Sequence, residues 1–381
     1  MAASTSRSIP SLDGLRAGSI GLVIIGHSLA YLHGEPNQFP YLQFSELGQS
    51  GVDVFFVISG FLITYLLLKE YEGAGAIRLR TFYLRRFFRI FPPFYVYLGV
   101  VGILWASGTV REDVRNFFSA ATYTWNYQLH RVPDWLLGHT WSLSLEEQFY
   151  LLWPPCLALL GKRRSMYIAL GLILISPASR AVTYLLMPAW RETEWTMLHT
   201  RLDTIMFGCA LALLWREERF TRWLDNLLHP ALFTLSVLYI VILAPCLSAR
   251  FQARYDWTVG YTLQGALISI LLLYVVKKPA SLPGRILNLR LIRHVGVISY
   301  GLYLWQQLFT GPRTFLFPLN LVAIFACAEL SYFLVERPAF RLRDMIGERL
   351  GKPRATPNRN REAISQEISA TNKDAITATE D

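Results

Sequence analysis

Apolar residues in this chain gather into long unbroken runs, not into the short alternating or 3.6-residue patterns of a water-soluble fold. Ten runs are long enough to cross a bilayer, near 17–33, 52–68, 91–107, 141–160, 166–187, 198–215, 227–247, 257–276, 295–312 and 315–335. Pro154 and Pro155 interrupt the fourth run, and Pro312 and Pro318 crowd the last two. Membrane helices tolerate proline because neighbouring groups re-satisfy the freed backbone. The pattern therefore predicts an all-α, polytopic membrane helix bundle of about ten transmembrane helices.

The connections between runs give the orientation. With the N-terminus in the cytoplasm and alternating crossings, 28 of the 37 Lys and Arg fall on cytoplasmic segments. They precede the first run, fill 69–90, 162–164, 216–222 and 277–293, and recur from Arg337 onward. This is the bias of the positive-inside rule, and it predicts a multi-pass protein of the cell (inner) membrane with both termini cytoplasmic. Residues 1–343 read as one integral-membrane domain, with no internal repeat. Residues 344–381 are polar and lack aromatics and an apolar stripe, which predicts a disordered cytoplasmic tail. A cleavable signal peptide is not expected, since no small-residue cleavage site follows the first run.

Composition agrees: 53% of the 381 residues are hydrophobic and 17% charged, where a soluble domain carries about 25% charged residues. The net charge of +10 follows from topology and contact with membrane lipids, so no nucleic-acid partner is implied. Cys156, Cys209, Cys246 and Cys327 fall within apolar runs without metal-ligand spacing, so no metal site and no disulfide framework is expected.

Within this apolar frame, a few ionisable residues stand out. His27 lies near the middle of the first run, eleven residues after Arg16. Eleven steps of about 100° return a helix to nearly the same face, so the two side chains would point into one interior, roughly 16 Å apart along the axis. Ionisable residues in membrane spans often mark functional paths, though a polar contact satisfied inside the bundle is the plainer alternative. Arg78, Arg80, Arg85, Arg86 and Arg89 crowd one cytoplasmic segment, with Arg86 and Arg89 at i, i+3. Such a cluster can cradle phosphates through forked hydrogen bonds, or simply anchor the segment at lipid headgroups. Ser142 and Glu146, at i, i+4 in the fourth run, share a face. The carboxylate could orient His27 or take a proton; alternatively the pair is a polar helix start with Ser142 as a cap. Ser59-Gly60 reads as a close helix contact. Aromatic residues between 108 and 140 (Trp125, Tyr127, His130, Trp135, His139) suit either sugar stacking or an interfacial belt.

These residues also fall into an ordered set of motifs. Ser11-Leu12-Asp13-Gly14-Leu15-Arg16 followed by His27, the Gly48 to Phe61 stretch, Arg86-x-x-Arg89, Trp141-Ser142-Leu143-x-x-Glu146, and Val335-Glu336-Arg337-Pro338 together resemble the acyltransferase-3 family of integral-membrane O-acyltransferases. The resemblance implies transfer of an acyl group, most often acetyl, from cytoplasmic acyl-CoA to a hydroxyl of a glycan or glycoside. It implies His27 as the catalytic histidine, either removing the acceptor proton or carrying the acyl group, and Glu146 as its acidic partner. Arg16, Arg86 and Arg89 would hold the donor, with Asp13, Ser142, Arg201 and Asp203 in support. No permanently bound cofactor is implied; acyl-CoA, for which the resemblance favours acetyl-CoA, is a substrate. The chain departs from many relatives after Ser299-Tyr300-Gly301-Leu302-Tyr303-Leu304-Trp305, where Gln306 and Gln307 stand in place of a histidine. From the residues alone, the rival reading is a secondary transporter or glycan flippase with a proton relay, which would carry an inverted repeat.

Overall fold

The computed structural model describes residues 9, 11–32, 35–36, 44–128, 135–191, 193–215, 217–251, 253–311 and 317–349. Helix α1 (Leu12–Ala30) leads into a two-residue antiparallel pair, β1 (Tyr31–Leu32) with β2 (Glu35–Pro36). Then follow α2 (Phe44–Ala74), α3 (Leu79–Ala106), the short α4 (Val114–Ala121), α5 (Thr140–Leu186), α6 (Leu198–Leu214) and α7 (Glu218–Leu227). Helices α8 (Pro230–Leu238) and α9 (Ala244–Phe251) are joined by a π-turn, and α10 (Ala253–Tyr255) precedes α11 (Tyr261–Lys277). The last elements are α12 (Leu282–Leu287), α13 (Arg290–Val297), α14 (Ser299–Phe309), α15 (Leu319–Ser331) and α16 (Arg337–Arg349). Apart from the β pair the described residues are all-α in their regular structure, and seven of their helices are long and apolar enough to cross a membrane.

Three boundaries differ from the hydropathy pattern, each for a local reason. The first helix starts at Leu12, not near 17, so the polar leader supplies its first turn and His27 sits in the last turn instead of mid-span. The fourth and fifth runs form one 47-residue helix, α5, broken only at Gly161. Gly161 has φ 73° and ψ 175°, a conformation open to glycine alone, so one residue replaces the expected loop ahead of Lys162-Arg163-Arg164. The ninth run divides into α13 and α14. The expected tail enters α16 through Arg349, and residues 350–381 lie outside the described residues, as does His130.

Helices α2 and α6 form the most buried pair. Their axes approach through reciprocal glycines: a Cβ on Gly60 would lie 2.1 Å from the Ile205 carbonyl oxygen, and one on Gly208 would lie 2.1 Å from that of Val57. Small residues are what let backbones meet inside lipid, where no hydrophobic effect drives helices together. Helix α1 packs on α2 with Ser19 Oγ donating to the Gly51 carbonyl at 2.6 Å. The outer side of α5 exposes Leu151, Leu152, Leu159, Leu174, Leu185 and Leu186, as a lipid-facing surface requires. Among the basic connections, Lys162 pairs with Glu217 at 2.7 Å and Lys277 with Asp225 at 2.8 Å.

Candidate active site

Helices α1, α2, α3, α5 and α14 converge on an open cavity, its space of about 740 Å³ continuous with the surroundings. Arg16 reaches it from α1, Arg86 and Arg89 from α3, and Ser142, Glu146 and Tyr150 from α5. Ser59 of α2 and Tyr300 and Tyr303 of α14 complete its polar wall, with Phe55, Phe56 and Leu62 as apolar lining. The i, i+3 spacing of Arg86 and Arg89 does what helical geometry allows, bringing both guanidiniums to one cavity.

The charges in the cavity are individually supported. Arg16 lies 3.6 Å from Asp13, one turn back on its own helix. The Arg86 guanidinium stands over the Tyr150 ring, 4.7 Å from its centroid, a favourable place for a half-buried cation. Glu146 Oε1 accepts a 2.6 Å hydrogen bond from Ser59 Oγ, which accepts in turn from the Tyr150 hydroxyl at 3.3 Å. Glu336, from the closing Val-Glu-Arg-Pro motif, is buried within electrostatic reach of Arg89. Three guanidiniums thus share one space under fixed carboxylates and rings, an arrangement suited to a polyanionic ligand.

His27 does not line this cavity; it stands beyond the far end. The cavity reaches Tyr303, and Gln306, one turn further along α14, lies with its Oε1 2.9 Å from His27 Nδ1. The hydroxyls of Ser142 and Tyr303 lie 2.5 Å apart and reach the His139 carbonyl at 3.2 and 3.0 Å. Ser142 is therefore a bridge to α14 and not a helix cap. Trp135 meets His27 edge-on at 5.3 Å between ring centroids. Glu146 takes Ser59 as its hydrogen-bond partner, so orientation of His27 falls to Gln306.

Arg201 and Asp203 lie in a separate buried layer and do not pair with each other. Arg201 pairs with Asp53 of α2 and stacks 3.6 Å from the centroid of the Tyr261 ring. Asp203 takes Arg180 of α5 at 3.0 Å and Thr262 of α11 at 2.6 Å. Two residues apart on α6, they face different neighbours and hold α2, α5 and α11 around it. Trp125 and His139 are buried in the core, which fits neither a sugar platform nor an interfacial belt.

Sequence reasoning missed Ser59, Tyr303, Gln306 and Glu336 as members of the polar wall or its support. Ser59 was visible only as a packing residue, and Gln306 only as a departure from a pattern. A carboxylate at the very end of an apolar run was the available signal for Glu336.

A model of the acyltransferase domain family matches residues 9–335 of the chain. A peptidoglycan O-acetyltransferase of Listeria monocytogenes is 30% identical over 362 residues, covering 87% of this chain and 55% of that protein. A Bacillus subtilis protein provisionally named as a peptidoglycan O-acetyltransferase is 29% identical over 365 residues, with 87% and 55% covered. A Staphylococcus aureus protein provisionally named as an O-acetyltransferase is 30% identical over 368 residues, with 87% and 57% covered. The chain spans about half the length of these curated relatives. No solved structure matches it.

Proposed function

The chain belongs to the acyltransferase-3 family, and from that premise we propose that it is a membrane O-acetyltransferase moving acetyl from acetyl-CoA to a hydroxyl of a glycan. The names of its relatives favour peptidoglycan as that glycan. The observation that carries the reading is one helix, α1, bearing Arg16 in a triple-arginine cavity and His27 three turns further on. The transporter reading has no comparable support.

Arg16, Arg86 and Arg89 hold the phosphates of the donor through forked, charge-assisted hydrogen bonds. The slender pantetheine arm then runs along α1 toward His27, roughly 16 Å away for eleven residues. Tyr303 and Ser142 stand on that route. His27, as neutral imidazole, takes the proton of the acceptor hydroxyl as its oxygen attacks the thioester carbonyl. The C–O bond forms, the C–S bond breaks, and the imidazolium returns the proton to the departing thiolate. Glu146 keeps the arginine field balanced beside the reacting arm, and the low-dielectric protein around them strengthens these interactions relative to water.

The same proposal includes ten crossings. The break at Gly161 divides α5 into two segments, each about as long as a bilayer crossing needs. Helix α1, and α13 with α14 taken together, supply the other two crossings, matching the apolar runs near 17–33 and 295–312; α14 alone, at 11 residues, is too short to cross. With an even number of crossings and the basic connections inside, this reading has both termini in the cytoplasm.

The test is His27→Ala, with protein level in the membrane fraction measured beside O-acetylation of the glycan by NMR. The variant is expected at parental abundance without acetyl transfer. Parental acetylation would remove His27 from the reaction.

A further inference from the structure

Gln306 and Gln307 are adjacent, and successive residues on a helix diverge by about 100°, yet both side chains are buried at 0% and 4% exposure. Burying two primary amides is costly unless their donors and acceptors are met. Here a chain of hydrogen bonds meets them, and its direction can be read from one end. The Trp135 carbonyl can only accept, so the atom of Gln307 that lies 2.7 Å from it is the amide nitrogen. The Gln307 oxygen is thereby turned to Gln306, whose nitrogen donates to it at 2.9 Å. That leaves the Gln306 oxygen facing His27 Nδ1 at 2.9 Å. Thr310 Oγ1 donates to the same oxygen at 3.0 Å. An amide oxygen cannot donate, so Nδ1 carries the hydrogen and the lone pair of the neutral ring lies on Nε2.

The anchor of the chain is itself fixed. The Trp135 indole N–H donates to the Gln307 carbonyl at 3.0 Å, closing a loop with the amide bond above. Gly311, at φ 103°, packs on the indole so closely that a Cβ there would sit 2.4 Å from it. On the other side of His27, Gly48 comes so close that a Cβ would lie 3.3 Å from Nε2, so its missing side chain leaves room for that atom.

We infer that Gln306 and Gln307 form a two-amide relay, anchored on the Trp135 carbonyl, that holds His27 in the Nδ1–H tautomer and presents Nε2 as the basic atom of the site. The assignment of a base rests on the proposed acetyl transfer; the tautomer does not. An amide differs from the carboxylate that orients histidine in hydrolase triads, because it fixes the tautomer while stabilising the imidazolium far less than a full negative charge does. Gln306 is accordingly a positioning residue, acting through His27.

The experiment uses the full chain in lipid nanodiscs with ring-¹⁵N histidine, His27 being assigned by the signal lost in His27→Asn. The parent is expected to show hydrogen on Nδ1 and none on Nε2. Gln306→Leu should lose that preference and lower kcat about tenfold or more, with the KM for acetyl-CoA within about twofold, since Gln306 lies outside the arginine cavity. Gln306→Glu keeps an acceptor for Nδ1 but adds charge that favours the imidazolium. It should raise the acid limb of the kcat profile by about one pH unit. His139, the other imidazole within electrostatic reach of His27, is the same in both variants. Hydrogen on Nε2 in the parent overturns the inference, and so does an unchanged ring pattern in monodisperse Gln306→Leu. Should that variant not fold, the parent pattern and the Gln306→Glu profile decide alone. The ring pattern is read without turnover, whereas His27→Ala tests the reaction without reference to the relay, so the two readings fail separately.

Discussion

Replacing Arg201 by methionine is expected to destabilise the bundle without first touching the arginine cavity. Arg201 and Asp53 are both 0% exposed, so the substitution leaves Asp53 as a buried charge with no counter-ion. Breaking one side of such a pair costs about 3–5 kcal/mol. The guanidinium also stacks on Tyr261 at 3.6 Å, and loss of a desolvated cation–π contact adds about 2 kcal/mol. Methionine retains much of the aliphatic volume, so a large cavity is not part of the cost. The double variant Asp53→Leu with Arg201→Met removes the stranded charge. It should recover most of the pair's cost and remain below the parent by about 2 kcal/mol, the stacking loss. The assay is thermal unfolding of detergent-solubilised protein followed by size exclusion, with the KM for acetyl-CoA measured at a temperature where each variant is folded. Strictly additive losses in the double variant would refute the clamp. So would a stable Arg201→Met protein that has lost acetyl transfer, since that result would move Arg201 into the chemistry.

Changing Arg86 and Arg89 together to lysine preserves charge and topology but removes the forked geometry, and should raise the KM for acetyl-CoA roughly tenfold or more; unchanged donor titration at saturating acceptor would retire the donor assignment. A reporter active only outside the cytoplasm should be silent at the C-terminus and active when inserted beside α4, and equal signals would break the ten-crossing arrangement. Gly208→Ala places a methyl 2.1 Å from the Val57 carbonyl oxygen and should cost about 1–3 kcal/mol or more as α2 and α6 separate. Gly171→Ala, with nothing within 4 Å of the new methyl, serves as its neutral control in the same unfolding assay.

What was legible in the sequence was whatever a helix period or an apolar run length could carry. Arg86 and Arg89 share a cavity because i, i+3 neighbours share a face, and Ser142 and Glu146 join them from α5 for the equivalent reason at i, i+4. The helical nature of the chain followed from apolar run length. Boundaries were less legible, because hydropathy registers polar first turns as outside: α1 begins five residues early and carries His27 to its final turn. Partners on different helices were not legible at all. Nothing in the spacing of Arg201 and Asp203 reveals that one turns to Asp53, 148 residues away, and the other to Arg180. Gln306 meets His27 across 279 residues by the same kind of tertiary accident of register.

The two polar layers share helices, and this gives the clamp a functional consequence. Asp53, held by Arg201, lies on the same helix as Ser59, the hydrogen-bond partner of Glu146. On α5, the Trp141 ring lies 6.0 Å from the Arg201 guanidinium, and the next residue, Ser142, reaches across to Tyr303. Fixing Arg201 therefore fixes the register of α2 against α5, and with it the distance between Ser59 and Glu146. Lipid supplies no hydrophobic force to do this, and the glycine contact between α2 and α6 tolerates sliding along the groove better than an ion pair does. A buried charge pair is a weak source of stability but a sharp determinant of register. On this argument the clamp serves alignment as well as stability, and a folded variant that lacks it should keep acetyl transfer with at most a raised KM for acetyl-CoA.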